Sequence, residues 1–129
     1  MKIVFTGSGT PLIDSNHLRA GASEVVLIDD DALLFDCGRW VSMRLVESGI
    51  GIRTINYIFL THHHNDHTIG LPLLISRPPH VGPLNIFGPK GTKELVNDGS
   101  RAFFAPPLSS KEGFEKIKIQ DIDGGFSYK

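Results

Sequence analysis

Apolar residues fall into short runs along the chain, and Gly, Pro or Asp residues separate these runs. Residues 2–6 predict a strand, because β-branched and aromatic residues follow one another and the run ends at Gly7. Residues 24–28 and 32–36 are two further apolar runs, and the three aspartates between them predict the turn of a β-hairpin. We therefore expect three strands in the first third of the chain.

Helical and extended patterns alternate in the middle of the chain. Apolar residues recur near helical spacing over 40–47, and Gly49 predicts the C-terminal end of this short helix. Residues 55–60 are almost continuously apolar and predict a strand covered on both faces. A short helix over 68–75 and a strand over 84–87 follow.

The pattern weakens toward the end of the chain. Thr92 predicts the N-cap of a helix over 93–98, and residues 114–119 predict a further strand. The two prolines at 106 and 107 predict a break between these elements. The sequence contains no repeat, linker or low-complexity segment, and we expect residues 1–129 to form a single domain.

Composition narrows the class of protein. With 129 residues, 40% hydrophobic and 21% charged, the chain can bury a core, which excludes a disordered or coiled-coil protein. The formal net charge of −1 argues against nucleic-acid binding through bulk basicity, although a local cationic centre stays possible. One cysteine excludes an intrachain disulfide. No apolar stretch reaches about 18 residues, so we expect no membrane segment and a cytoplasmic location.

Residues that carry chemistry concentrate directly after the strand predicted at 55–60. Four of the six histidines, together with Asp66, lie within six consecutive positions, 62–67. In extended backbone, residues two apart project to one side, so His62 and His64 can close on one metal ion. Asp66 and His67, which follow a bend, can face an adjacent ion. Imidazole and carboxylate donors without thiolate favour zinc, with manganese or iron as alternatives.

Other interpretations of this segment stay open. An exposed polar loop that merely tolerates histidines is the simplest alternative. By the same alternation, His63 and Asn65 point away from the other side chains, and we do not expect them to bind metal. Cys37 lacks a base or cation that the sequence can place beside it, so we expect a small buried residue and not a nucleophile.

Four motifs together resemble a known family. Thr-His-His-His-Asn-Asp-His at 61–67, followed by Gly-Leu-Pro at 70–72, resembles the signature of the metallo-β-lactamase superfamily. Three further runs resemble its ribonuclease Z and arylsulfatase-like branch, namely Gly-Ser-Gly-Thr-Pro at 7–11, Leu-Phe-Asp-Cys-Gly at 34–38 and Ile-Phe-Gly-Pro at 86–89. The resemblance implies an α/β, metallo-β-lactamase-like αββα fold. This chain would carry its N-terminal half, one mixed β-sheet with flanking helices.

The resemblance also implies site residues and an activity. It implies that His62, His64, Asp66 and His67 bind two zinc ions and that Asp66 is in addition catalytic. Asp36 would support the histidine loop by accepting an imidazole N–H. The implied activity is metal-dependent phosphodiester hydrolysis of the ribonuclease Z type, with RNA such as the 3′ trailer of precursor tRNA as substrate. Arylsulfatase-like and thioester or lactam hydrolysis on the same fold are alternatives.

The four donors would form only part of a dinuclear site. Two ligands fall to each ion, whereas catalytic zinc normally has three protein ligands and an open position. His80 is the one histidine after His67, and it lies in a proline-rich stretch where the family has no ligand. We therefore expect a chain incomplete on its C-terminal side, or ligands from another chain, or a truncated metal-binding or assembly module without catalysis. An uncovered sheet face would favour a homo-oligomer.

Overall fold

One six-stranded sheet organises the part of the chain that the computed structural model describes, which is residues 1–12, 18–76, 83–103 and 116–124, without the side chains of 100–103. The strands are β1 Lys2–Gly7, β2 Ser23–Ile28, β3 Asp31–Phe35, β4 Ile55–Phe59, β5 Leu84–Gly88 and β6 Ile117–Asp121. The helices are α1 Val41–Glu47, α2 Asn65–Thr68, α3 Leu71–Ser76 and α4 Thr92–Phe103, with a 3-10 helix at Ile52–Thr54.

The sheet is mixed, and its strands are adjacent in chain order. β1, β2 and β3 pair antiparallel, as the predicted hairpin requires. β3, β4, β5 and β6 pair parallel, and helices connect them. The carboxyl ends of the four parallel strands therefore meet at one edge, which is where open α/β sheets bind ligands.

The core lies between one face of the sheet and the helices. Val25, Leu34, Ile58 and Ile86 are register partners across four adjacent strands, and each is fully buried. Side chains from α1, α3 and α4 complete this core, among them Val41, Leu45, Leu74 and Val96. Because successive strand residues alternate between faces, the residue that follows each of these four register partners lies on the opposite face of the sheet.

The opposite face of the sheet carries aromatic residues. Phe35, Phe59 and Phe87 are register partners, and their rings stack with centroids 5.0 and 5.1 Å apart. Toward the edge strand this face is open, because Ile3 is 53% exposed and Phe5 is 72% exposed. Apolar surface of this kind was expected from the sequence, whereas the homo-oligomer inferred from it stays a prediction.

Most predicted elements are present, including the mixed sheet with flanking helices. Gly49 follows α1 with φ 73°, in agreement with its predicted role as the end of that helix. The helix predicted over 68–75 is found as α3, but it begins only at Leu71, because α2 ends at Thr68 and a turn lies between the two helices. Gly70 separates them by donating its N–H to the carbonyl of Cys37, a contact that no local pattern reveals.

The predicted N-cap of α4 was also wrong. Thr92 is the first residue of that helix, and its hydroxyl donates to the carbonyl of Pro89. The Asp121 carboxylate instead accepts the N–H groups of Gly91 and Lys93, at 3.1 and 3.0 Å. The cap therefore comes from β6, about 30 residues further along the chain.

The remaining expectations concern the end of the chain, the stretch around His80 and membrane helices. The predicted strand over 114–119 is found as β6, and its first two positions lie outside the described residues. The proline break at 106 and 107 and the proline-rich stretch around His80 also lie outside them. Among the described helices, none is long and apolar enough to cross a membrane.

Candidate metal centre

The histidine-rich segment lies at the carboxyl ends of the parallel strands. It leaves β4 in extended conformation, and His64 keeps extended dihedral angles of φ −61° and ψ 147°. Helix α2 begins at the next residue, Asn65, so the chain bends between His64 and Asp66. This is the change of direction that the spacing of the segment predicts.

Asp36 organises this segment from the end of β3. Its backbone lies in the left-handed region with φ 58°, a conformation that Asp tolerates better than most residues, and its side chain is buried. The Oδ1 atom accepts the backbone N–H of Thr61, and Oδ2 accepts the Thr61 hydroxyl, both at 2.8 Å. Oδ2 also lies 2.7 Å from Nδ1 of His67. One carboxylate thus connects β3 to both ends of the histidine segment.

These hydrogen bonds determine which nitrogen of each imidazole stays available. His67 donates its Nδ1–H to Asp36, so its Nε2 carries the lone pair. The Thr61 hydroxyl donates to Asp36, so at 3.0 Å it accepts the Nδ1–H of His62. His62 therefore also keeps its Nε2 lone pair, which is the state in which imidazole binds a metal.

The structure brings the four predicted ligands together. The ring of His62 lies 4.7 Å from that of His64 and 4.1 Å from that of His67, measured between centroids. The Oδ2 of Asp66 lies 3.5 Å from Nε2 of His67. The side chains of Asp66 and His67 are only 13% and 20% exposed, so these two donors are drawn partly out of solvent.

His63 and Asn65 do not join this group. His63 donates its Nε2–H to the hydroxyl of Thr92 at 2.9 Å, which ties the loop to the start of α4. Asn65 is exposed. The alternation predicted that both residues would point away, but it did not predict the partner of His63, because Thr92 lies 29 residues further along the chain.

The residues present fit divalent ions in their chemistry. Neutral imidazole nitrogens and a carboxylate are the donor types that zinc accepts. In the described part of the chain, however, no three His, Cys, Asp or Glu side chains form a ready cage around one point. The described residues therefore complete no coordination sphere, and the assignment of two ligands to each ion stays a prediction.

The backbone of residues 37 and 38 packs closely against the backbone of the histidine-rich segment. A Cβ atom at Gly38 would lie 2.6 Å from the carbonyl oxygen of Asp66, so only glycine leaves room for α2 at this distance. The N–H of Cys37 donates to the carbonyl of His67 at 2.7 Å. Cys37 itself is fully buried, as expected for a packing residue.

A further acid lies near this network on β2. Burial raises the pKa of Glu24, the negative charge of Asp36 raises it further, and His67 opposes the shift. Glu24 is the register partner of Phe35, the residue before Asp36. Sequence reasoning missed this neighbour because the hairpin pairing, and not any motif, brings Glu24 close to the loop.

The chain combines a mixed sheet with a His- and Asp-rich loop at the carboxyl ends of its parallel strands. This combination can be compared with known protein families. Residues 18–122 match the family model of the metallo-beta-lactamase superfamily. The chain belongs to this superfamily. Membership implies bound metal ions, typically zinc.

Relatives within the superfamily narrow the comparison. Ribonuclease Z of Methanosarcina mazei is 36% identical over 99 residues, which are 74% of this chain and 32% of that protein. Ribonuclease Z of Mycolicibacterium gilvum is 38% identical over 109 residues, 80% of this chain and 37% of that protein. The chain thus spans about a third to two fifths of the length of these relatives.

Solved structures give the same picture of the fold. The short form of human tRNase Z superimposes with a TM-score of 0.73 at 26% identity, over 94% of this chain and 44% of that chain. A diphosphatase from the PhnP family superimposes with a TM-score of 0.67 at 19% identity, over 94% of this chain and 50% of that chain. The second likeness concerns the fold alone.

Proposed function

We propose that the chain provides part of the active site of a metal-dependent phosphodiester hydrolase of the ribonuclease Z type, with RNA as its substrate. One observation carries the proposal, namely the convergence of His62, His64, Asp66 and His67 in front of the buried Asp36. The names of the similar proteins, ribonuclease Z and tRNase Z, support the substrate class.

The four side chains would hold two zinc ions. His62 and His64 would contribute imidazole nitrogens to one ion, and Asp66 and His67 would contribute to the other. The network around Asp36 supports this assignment, because it leaves Nε2 of both His62 and His67 as an acceptor. Further ligands would come from another segment or from a second chain.

The chemistry follows from the charges at the site. Divalent ions bound there would supply Lewis acidity and would lower the pKa of a nearby water molecule. Asp66 is the one carboxylate among the four proposed ligands, so the loop compensates little of the added positive charge and attracts an anionic phosphodiester. The Asp66 carboxylate would also orient the attacking water and accept its proton. Asp36 would hold His67 in place throughout by its hydrogen bond to Nδ1.

A metal-binding or assembly module without turnover is the second candidate. It is favoured by the observation that no three donors among the described residues form a cage. Under this alternative the loop would bind metal weakly, and no hydrolysis would follow.

Two neighbouring exposed residues allow a matched test. We expect His64→Ala to lower the zinc content of the purified protein and to abolish cleavage of a precursor tRNA with a 3′ extension. Asn65→Ala, a truncation to the same residue at the next exposed position, should change neither. Elemental analysis gives the metal content, and gel electrophoresis of the RNA gives the cleavage.

The outcomes separate the two candidates. The hydrolase is supported if the wild-type protein cleaves the RNA and if its zinc content falls in the His64→Ala variant. Metal that depends on His64 without cleavage of RNA or of bis(p-nitrophenyl) phosphate supports the module. A wild-type protein that binds no zinc, manganese or iron contradicts both.

A further inference from the structure

A cavity lies between β1 and α1, away from the histidine loop. Its volume is about 470 Å³, which is within the usual range for small-ligand sites. The residues that line it include Leu18, Arg19, Trp40, Met43 and Arg44. None of the proposed metal ligands lines it.

Positive charge concentrates around this cavity. Arg19 and Arg44 line it, and no acidic residue is among the described residues that do, although Arg44 pairs with Glu47 and donates its Nε–H to the carbonyl of Thr6. Arg39 lies beside it, with its guanidinium 5.0 Å from the centroid of the Trp40 ring and one of its terminal nitrogens donating to the carbonyl of Arg19 at 2.8 Å. The buried Nε of Arg39 has no hydrogen-bond partner among the described residues. In a chain of net charge −1, this cluster selects an anionic ligand.

Trp40 gives the cavity an aromatic surface. It lies in the left-handed region with φ 67°, which bulky residues rarely adopt and which is often found at functional sites. The residue is 41% exposed even though Arg39 lies over its ring. Exposed aromatic rings beside arginines are the surface on which nucleic-acid bases stack. Leu18 and Met43, which are 64% and 51% exposed, extend the apolar wall.

We propose that this cavity binds a nucleotide, with the base stacked on Trp40 and the phosphate held by Arg19 and Arg44. A ligand that was only apolar would make no use of the Arg19 guanidinium, and a free phosphate would make no use of the aromatic wall. Binding of a mononucleotide does not require the metal centre. The extension that the nucleotide belongs to an RNA substrate rests on the proposed function.

The single tryptophan makes the cavity directly observable. Because Trp40 is the one Trp in the sequence, its fluorescence reports on this position alone. We expect AMP to quench it saturably in the full chain. Adenosine and inorganic phosphate each retain only part of the contacts and should bind at least ~10-fold more weakly, the usual effect of losing a charge-assisted contact.

Charge reversal at two exposed arginines provides the control. Arg19→Glu should weaken AMP binding by ~10-fold or more, because it replaces the phosphate contact with repulsion. Arg53→Glu makes the same change in charge at an exposed residue outside the cavity and should leave binding unchanged. Arg44→Gln tests the second phosphate contact, and calorimetry measures its affinity for AMP, which should also fall. Circular dichroism checks that each variant is folded.

Several results would overturn the proposal. These are the absence of quenching at millimolar AMP, equal affinity for adenosine and AMP, and equal affinity of the Arg19→Glu and Arg53→Glu variants. Emission that changes with protein concentration and not with AMP would identify the cavity as an interface between copies of the chain, which also overturns it.

One more variant separates this proposal from the proposed function. His64→Ala is expected to bind AMP with wild-type affinity while its metal content falls. Retained AMP binding in a protein without RNA cleavage would therefore support the nucleotide site even where the hydrolase proposal fails.

Discussion

Asp36 and His67 are 31 residues apart in the chain, and their side chains meet at 2.7 Å between Oδ2 and Nδ1. The same carboxylate accepts both the N–H and the hydroxyl of Thr61. Asp36 therefore determines the orientation of two imidazoles, His67 directly and His62 through the Thr61 hydroxyl. The predictions below begin with this network, because the proposed metal chemistry depends on it.

Asp36→Asn removes the charge that accepts these hydrogen bonds. We expect metal affinity to fall by about 10- to 100-fold, the usual effect of losing a residue that orients a histidine ligand. Asp29→Asn is the matched control, because Asp29 also has a positive φ, of 52°, and lies exposed in the hairpin turn. Isothermal titration with zinc measures the effect, and equal affinity of the two variants would contradict the proposed role of Asp36.

Thr61→Val removes only the hydroxyl that connects His62 to Asp36. Because Nδ1 of His62 then loses its acceptor, the ring can bind through either nitrogen, and we expect metal affinity to fall by about 3- to 10-fold, the cost of one neutral hydrogen bond. Thr61→Ser keeps the hydroxyl and should retain the wild-type affinity. The same zinc titration measures both variants. Equal zinc affinity of the Val and Ser variants would contradict the proposed role of the Thr61 hydroxyl in orienting His62.

Gly38→Ala tests the backbone contact behind the loop. The new Cβ would clash with the backbone of Gly21 and would lie 2.6 Å from both Ala22 N and the Asp66 carbonyl oxygen, so we expect unfolding in urea to become easier by about 1–3 kcal/mol. Gly99→Ala should have the opposite sign, a gain of about 0.5–1 kcal/mol, because Gly99 lies inside α4 with nothing within 4 Å of its Cβ position. Unchanged stability of Gly38→Ala would show that both α2 and the backbone at Gly21 can move away from Gly38.

Asp121 gives a prediction for the pH dependence of stability. The N–H groups of Gly91 and Lys93, in that order, lower its pKa below the ordinary value of 3.8. A folded-state pKa below the unfolded value means that the ionised cap stabilises the protein above pH 3.8, and that this contribution is lost as the pH falls through the folded-state pKa. Urea unfolding should therefore show Asp121→Asn destabilised at neutral pH, with the difference from wild type shrinking in acid.

The neighbouring aspartate supplies the control for this experiment. Asp123 is exposed and lies two residues beyond β6. Asp123→Asn should follow the wild-type stability at every pH. A constant difference between Asp121→Asn and wild type down to strong acid would mean that the effect does not come from the charge.

Ile3 tests whether the open face of the sheet associates with another copy. We expect the wild-type chain to self-associate at micromolar concentration, because burial of exposed apolar surface is favourable. Ile3→Lys should weaken this association. Ile69→Lys is the control, because it makes the same change outside the sheet at a residue that is equally exposed, 53%. Sedimentation velocity gives the mass, and a monomeric wild-type protein would refute the homo-oligomer.

Strands could be predicted from the sequence because their signals are local. The hairpin of β2 and β3 follows from two apolar runs and an aspartate turn. The position of Leu34 and Ile58 on the core face came from the structure. The donor types of the loop were equally visible, since His62, His64, Asp66 and His67 lie within six positions. Chemistry concentrated in one short segment needs no tertiary information to be noticed.

Only the tertiary structure decided how distant segments meet. The break at Gly70, the capping of α4 by Asp121 and the bond between His63 and Thr92 each join residues separated by about 30 positions. The cavity beside Trp40 likewise needs β1, the residues before β2 and α1 to come together. A hydrogen bond depends on the positions of two atoms in space, whereas sequence patterns carry information mainly about neighbours within a few residues, so these contacts could not be predicted without the fold.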